Sequence, residues 1–420
     1  MHVCLVAYDA LPAIDSSEAG SYGGLETHAW ILAQGLARRP DLNVSLVVRH
    51  HRPARVSRVN NVQIVTRVDR LFRLRRFVSE RIDIQSTTQM SLKRWSWHLL
   101  WIMPLLACVR PFRRPAIDPC TADPFFVDLN ADVLCAFGVN AVAASVVASA
   151  TGKYRSLLFL ESNADLDEKF AEDPDYINAY GERGDQCRFA IERAGSIVAQ
   201  NEWQQRQLTE YFHRSATLVN NPFDFDQWNQ PEALSVELPA GPFVLWIGRA
   251  DRFHKRPQIL LRVAEQCREL HFTMIMNAGD PEVAAEIALQ LPQNVTLIPS
   301  IPFQQMASIF QRSSLYVSTG SNQHEGFPNV FLQAAASGVP IVSLEVDPGF
   351  VRGDECGEVA DGDEAALIES IVRIMADSDL AVRYAHNGRG YVNREHRQEA
   401  ICESIDLLLI RNAVDSVESP

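Results

Sequence analysis

Two stretches in the second half of the chain carry residue types that could do chemistry. "GRADRFHK" (Gly248–Lys255) follows the apolar run "FVLWI" and sets Arg249 and Lys255 on a loop between a strand's carboxyl end and the next helix. Fixed positive charge beside the unpaired N–H groups of a helix N-terminus suits an anion, and a diphosphate satisfies both. "HEGFPNVFLQAAASGVPIVS" (His324–Ser343) places Glu325 ahead of a helix expected over Asn329–Ser337, with Pro328 in its first turn and Gly338 as its stop. Amides after Gly326 would point at a phosphate. Glu325, an acceptor only, suits hydroxyl groups such as those of a sugar, and Gln333, one turn further in, suits another. Exposed Lys and Arg also simply solvate surfaces, and an acid before a helix also favours its dipole by ~0.3–1 kcal/mol. By themselves the residues leave both uses open.

These loops need strands to aim them. In the first half "HVCLVAY", "NVSLVV", "VQIVT", "DVLCAF", "SLLFL" and "SIVAQ" read as strands; in the second, "FVLWIG", "FTMIM", "VTLIP", "LYVST" and "PIVSL" do, with helical stretches between. Short apolar runs alternating with helices indicate an α/β fold of parallel sheets buried on both faces. At 420 residues two domains are expected. The proline-rich stretch Asn220–Pro242 marks the break, so we expect domains over 1–225 and 226–395, with a C-terminal helix in 396–420 packing back on the first. A cleft between two doubly wound sheets is where ligands should sit.

With 47% apolar and 22% charged residues the composition is that of an ordinary soluble protein. The start "MHVCLVAYDALP" has too short an apolar run for a signal peptide, so Val3–Ala7 is expected as a buried strand and the location as cytoplasmic. Eight cysteines form no CxxC pair or zinc spacing, which points to reduced thiols. "DLD" at Asp165, "DPD" at Asp173 and "DFD" at Asp224 are not read as metal ligands, "DFD" after "NNP" being explained by turn chemistry, and no metal is expected.

A net charge of -13 argues against nucleic acid, yet Arg49–Arg114 holds fifteen Lys/Arg against Asp69, Glu80 and Asp83, a local +12. Inside it lies "WSWHLLWIMPLLACV" (Trp95–Val109), flanked by Lys93, Arg94, Arg110, Arg113 and Arg114. At fifteen residues with Pro104 inside, it falls short of the ~20 needed to span a bilayer. It reads either as a buried helix with a solvated basic flank or as a surface resting on anionic lipid, possible through residues 49–114; Trp95, Trp97 and Trp101 favour the second.

Together these motifs resemble the donor site of retaining glycosyltransferases of family 4 (group 1), which have the GT-B fold. The resemblance extends to "YGGLETHAWILAQGLARR", "AGSIVAQNEWQQRQL", "LVNNPFD" and "CGEVADGDEAALIESIVRIM", leaving about residues 50–150 outside it. It implies two Rossmann-like domains facing across a cleft, the second binding a UDP- or GDP-linked sugar and the first selecting a glycan or lipid-linked acceptor. It implies a retaining, metal-independent hexosyltransferase without cofactor, working in glycan or envelope polysaccharide and glycolipid synthesis. Arg249 and Lys255 become diphosphate ligands, the amides of Gly326, Phe327 and Asn329 the phosphate cradle, and Glu325 the catalytic contact to the transferred sugar. Gly23 and Gly24 match a loop where bare backbone approaches donor or acceptor, although a tight turn explains glycines equally well.

Two departures stand out. Gln333 occupies the place of a glutamate that contacts the ribose, so a charge-assisted bond of ~1.5–3 kcal/mol could fall to ~0.5–1.5. No histidine occurs in "SLLFLESNADLDEKF", where Glu161, Ser162 or Asn163 must fill the space of the family's histidine, and His28 is expected to face its own helix. The departures keep open a non-catalytic nucleotide-sugar-binding partner subunit, and the same two-domain architecture keeps open a nucleotide-sugar epimerase. Lys255 is expected to be an exposed cleft lysine that supports charge rather than packing.

Overall fold

The computed structural model describes residues 1–420 except 16, 19–22, 80, 85–89, 93–94, 110–116, 231, 278 and 416–420. All eleven runs read as strands are strands, which makes the parallel α/β expectation correct. In the N-terminal domain these are β1 (His2–Val6), β2 (Asn43–His50), β4 (Val62–Val68), β7 (Val133–Phe137), β8 (Arg155–Phe159) and β9 (Ser196–Ala199). Two-residue strands β3 (Arg58–Val59) and β10 (Thr217–Leu218) extend the sheet at its edges; β5 (Ile82–Ile84) and β6 (Met90–Leu92) form a separate hairpin. The sheet order is β10-β9-β8-β7-β1-β2-β4-β3, parallel except for β3 against β4.

The second sheet holds β11 (Phe243–Arg249), β12 (His271–Asn277), β13 (Val295–Ile298), β14 (Leu315–Ser318), β15 (Ile341–Ser343) and β16 (Gly357–Val359). Its order is β13-β12-β11-β14-β15-β16, parallel throughout. Strand order reverses between β1 and β7 in the first sheet and between β11 and β14 in the second. A crevice opens outside the carboxyl ends of the strands at such reversals. The loops after β1, β7, β11 and β14 are therefore the ones topology sends toward the cleft.

Each sheet is packed on both faces, because its strands are continuous apolar runs. Trp246, Phe243, Phe272 and Tyr316 are wholly buried in the second domain, and Leu5, Phe126 and Phe159 in the first. The helix Gln398–Asp415 lies on the helix Gly24–Ala37: Gln398 Nε2 donates to the Ile31 carbonyl at 2.6 Å, and Ile401, Cys402, Ile405 and Leu409 join the N-terminal core.

The helix Leu99–Val109 keeps Pro104 inside it and turns much of its apolar surface outward. Trp95, Trp97 and Trp101 are 53%, 73% and 82% exposed, so these tryptophans do not form part of a domain core. Among the described residues no helix is long and apolar enough to cross a membrane. Of the basic residues read around this segment, Lys93, Arg94, Arg110, Arg113 and Arg114 lie outside the described residues, as does Glu80.

Candidate functional site

The loop after β11 is folded by its own sequence. Asp251 Oδ1 accepts the amides of His254 (2.7 Å) and Lys255 (2.8 Å), turning the chain back over the strand end. Thr319, beyond β14, accepts from Trp246 Nε1 (2.9 Å) and donates to the Lys255 carbonyl (2.6 Å). Arg256 donates to the carbonyls of Thr319 (2.8 Å) and Gly320 (2.6 Å) and pairs with Glu345 (2.5 Å). The two loops are thereby bolted together, and Lys255 projects across at the Glu325 loop.

Lys255 Nζ pairs directly with Glu325 Oε1, and His254 Nε2 lies 3.0 Å from the same oxygen. Burial alone would push the Glu325 carboxyl up; Lys255 and then His254 outweigh it and hold the group below the usual carboxylate range. Lys255 is thus partly buried and ion-paired, not the freely exposed lysine expected from sequence. Arg249 ends β11, half exposed, with Nε 3.4 Å from Asp251 Oδ2 and its guanidinium 5.8 Å from the centre of the Tyr180 ring.

The helix Asn329–Ser337 starts after Pro328 and stops at Gly338 in the left-handed region (φ 70°), with the bounds expected. Its first turn faces the N-terminal domain. Asn329 Nδ2 donates to the Gly24 carbonyl (2.9 Å), and a Cβ on Gly24 would stand 3.3 Å from that nitrogen. What approaches the Gly24 backbone in this structure is the Asn329 side chain. Gln333 is buried, and its Oε1 has no hydrogen-bond partner among the described residues. The Phe327 amide is occupied by Gln200 Oε1 at 3.0 Å.

A cavity of about 830 Å³ lies between the two sheets. Gly23, Gly24, Arg249, Lys255, Glu325, Phe327, Asn329 and Gln333 all line it; Gly326 does not. Its N-terminal wall is Tyr8, Asp9, Arg49 and Phe72, with Glu161, Ser162 and Asp165 after β8. The Asp165 carboxylate accepts the amides of Glu161 (2.7 Å), Ser162 (3.1 Å) and Val139 (3.2 Å), which fixes the loop after β8; burial pushes its pKa up to about 6. Arg49 sits over the rings of Tyr8 (5.1 Å) and Phe72 (4.9 Å).

His28 does not face its own helix as expected. Its Nδ1 shares a 2.7 Å hydrogen bond with Glu161 Oε1, both side chains being buried. One of the residues read as filling the histidine's space is therefore itself held by a histidine from another element. Sequence reasoning also missed His254 and Tyr180, whose hydroxyl lies 2.9 Å from His254 Nδ1 across the cleft. His254 was in plain view beside Lys255; Tyr180 sits in no motif, and only the fold brings it there.

Structural likenesses extend over nearly whole chains. The sucrose-phosphate synthase of Thermosynechococcus elongatus superposes with a TM-score of 0.67 at 17% identity, covering 99% of each chain. Anabaena Alr3699/HepE, solved with UDP and glucose, gives 0.63 at 14%, covering 98% of this chain and 100% of that one. The fold is GT-B. Within its second GT-B domain, residues 241–377 match the family model of glycosyl transferases group 1. Over 203 residues the chain is 25% identical to a phosphatidyl-myo-inositol mannosyltransferase of Mycobacterium leprae, covering 47% of this chain and 54% of that protein. It is 35% identical over 92 residues to the lipopolysaccharide core biosynthesis glycosyltransferase LpsE of Rhizobium meliloti, covering 21% of this chain and 27% of that protein. The chain spans about half the length, or less, of these curated relatives.

Proposed function

We propose that the protein is a retaining glycosyltransferase that moves a hexosyl group from a UDP- or GDP-linked donor to an acceptor in glycan or envelope glycolipid synthesis. The observation that carries this is the convergence of Arg249, Lys255, Glu325 and Gln333 on one cleft between two switch points. Departure of a nucleoside diphosphate builds negative charge on its oxygens while positive charge develops at the sugar carbon. Arg249, Lys255 and the helix N-terminus at Asn329 meet the first, and the ionised Glu325 faces the sugar that carries the second. In this reading the leaving group is neutralised by side chains and needs no metal. The acceptor enters from the wall of Tyr8, Asp9, Arg49 and Phe72.

The test is incubation of the pure protein with a panel of UDP- and GDP-sugars, following transfer and slow donor hydrolysis. Binding without either reaction across a broad panel would point instead to a partner subunit. Gln333→Glu is expected to tighten nucleoside diphosphate binding about threefold or more, because a carboxylate accepts a hydroxyl more strongly than an amide. A tenfold weakening, read by calorimetry, would remove Gln333 from the site.

For the acceptor we propose a molecule held at an anionic membrane. The exposed tryptophans 95, 97 and 101 lie in the +12 segment of the domain assigned to acceptor choice. Each basic residue near such a surface adds ~1 kcal/mol, and salt screens exposed charges over ~8 Å at physiological ionic strength. The protein is expected to float with phosphatidylglycerol vesicles at low salt, less so at high salt, and less again with the three tryptophans replaced by serine. Because these rings are exposed, the replacement should leave the melting temperature nearly unchanged. Failure to float at either salt concentration removes this part of the reading.

A further inference from the structure

We infer that Gln200, with Ser162, Asn163 and Asn201, is a positioning residue for Glu325: the N-terminal domain, by its side chains, sets the loop that carries the carboxylate. The inference rests on the reading of Glu325 as the group that meets the transferred sugar. Four N-terminal side chains hold backbone groups on either side of Glu325. Ser162 Oγ donates to the His324 carbonyl, and Asn163 Nδ2 to that of Asn322 (2.9 Å). Asn201 Nδ2 donates to the Gly326 carbonyl (3.3 Å), and Gln200 Oε1 accepts the Phe327 amide (3.0 Å). From its own domain the loop has the Ser321 carbonyl, which accepts the amides of His324 and Glu325 at 3.0 Å each, the His254 carbonyl and Glu345 on Ser321 and Asn322 at its start, and Lys255 and His254 on the Glu325 carboxylate; the backbone after Glu325, at Gly326 and Phe327, is met by Asn201 and Gln200.

Gln200 is the hub of this arrangement. Buried just beyond β9, it donates through Nε2 to Asn221 Oδ1 (3.2 Å) and Glu161 Oε2 (3.4 Å), and Glu161 is held in turn by His28. Asn221 Nδ2 donates to Asn329 Oδ1 (2.9 Å), and Asn329 reaches the Gly24 carbonyl. The chain of bonds thus returns to the helix from which His28 projects. It also explains Gly326, which the sequence reading gave to the phosphate. A Cβ there would stand 2.4 Å from Gln200 Oε1 and 2.9 Å from Gln204 Nε2, so the bare backbone is what lets Gln200 reach the next amide.

A loop held this way keeps the backbone around Glu325 in register with the N-terminal wall only while the two domains are this close, while Lys255 and His254 tie the carboxylate to its own domain. Losing the hold should affect turnover more than nucleotide binding, because Arg249 and Lys255 belong to the other domain. A displacement of about 1 Å at a reacting centre can cost about a hundredfold, and partial loosening should cost less.

Gln200→Met keeps the side chain's length and removes its polar atoms, while the double variant Ser162→Ala/Asn163→Ala loosens the loop without touching the buried hub. Both are expected to speed amide exchange in peptides covering 321–329 about tenfold and to lower kcat about tenfold, with Kd for UDP or GDP within about twofold. The affinity for UDP-glucose or GDP-mannose should fall more than that for the nucleotide alone. Exchange and kcat within twofold of the unaltered protein in both variants would overturn the inference, as would loss of nucleotide binding in step with kcat. Should the unaltered protein bind neither nucleotide, the donor-site reading falls. Exchange then decides the hold alone, and undiminished protection in both variants overturns it.

Discussion

Glu325→Gln is expected to lower sugar transfer roughly a thousandfold, the scale lost when a charged or preorganised group aimed at the reacting centre is removed. Kd for the nucleoside diphosphate should stay within about threefold, because the substitution leaves the backbone and Arg249 unchanged. The substitution is nearly isosteric and keeps one oxygen that Lys255 can meet, so the loop should retain its place. What it removes is the negative charge that Lys255 and His254 hold ionised inside the cleft. If Glu325 merely favoured the dipole of the helix Asn329–Ser337, a neutral replacement would cost only ~0.3–1 kcal/mol of stability and leave turnover alone. Steady-state kinetics beside a melting curve separates these outcomes: turnover within tenfold of the unaltered protein would leave Glu325 a structural residue.

The fold was legible wherever a strand had to be buried on both faces, since such a strand has no choice but to be a continuous apolar run. That is why β1, β7, β11 and β14, whose ends carry the site, could be read at once. Edge strands have no such constraint: β3 and β10 are two residues each, and nothing in "RV" or "TL" distinguishes them from loop. Between β4 and β7 no strand was read for a related reason, because part of that segment packs its apolar residues outward, where periodicity does not report a core.

The site was legible in the same uneven way. Residues carried on one local element, such as Glu325 and the helix after it, follow from turn and capping chemistry that short stretches encode. Pairings made between elements do not. His28 is separated by 133 positions from Glu161, and Tyr180 by 74 from His254. Only the juxtaposition of the two sheets brings these partners together, and reading His28 by itself made its own helix the default. Lys255 was identified by position but misjudged in environment, for the same reason.

That misjudgement changes what its removal should do. Lys255→Met keeps the aliphatic stem but takes away the cation nearest Glu325, so two losses coincide. On the proposed reading the donor's diphosphate loses a charge partner, and kcat/KM is expected to fall roughly a hundredfold or more, with a weaker Kd for the nucleotide. Glu325 meanwhile stays buried with His254 alone, which costs about 1–3 kcal/mol for the group left without its partner. The sign of the pH dependence follows from the carboxyl's depressed pKa. In the unaltered protein its stabilising contribution is present above the unfolded carboxylate value of ~4.3 and is lost as pH falls through the folded value. In Lys255→Met burial is less opposed, the folded pKa rises, and the contribution is diminished already at neutral pH. The stability gap between the two proteins should therefore be open at pH 7 and should narrow as pH falls below about 4, closing only when pH has passed through the depressed folded value at which the carboxyl of the unaltered protein is protonated too. Residual activity of the variant should likewise lose its acidic limb at a higher pH than that of the unaltered protein. Melting curves at several pH values read the first effect and pH–rate profiles the second. A gap that is constant with pH, with coincident acidic limbs, would mean that Lys255 does not control the charge of Glu325.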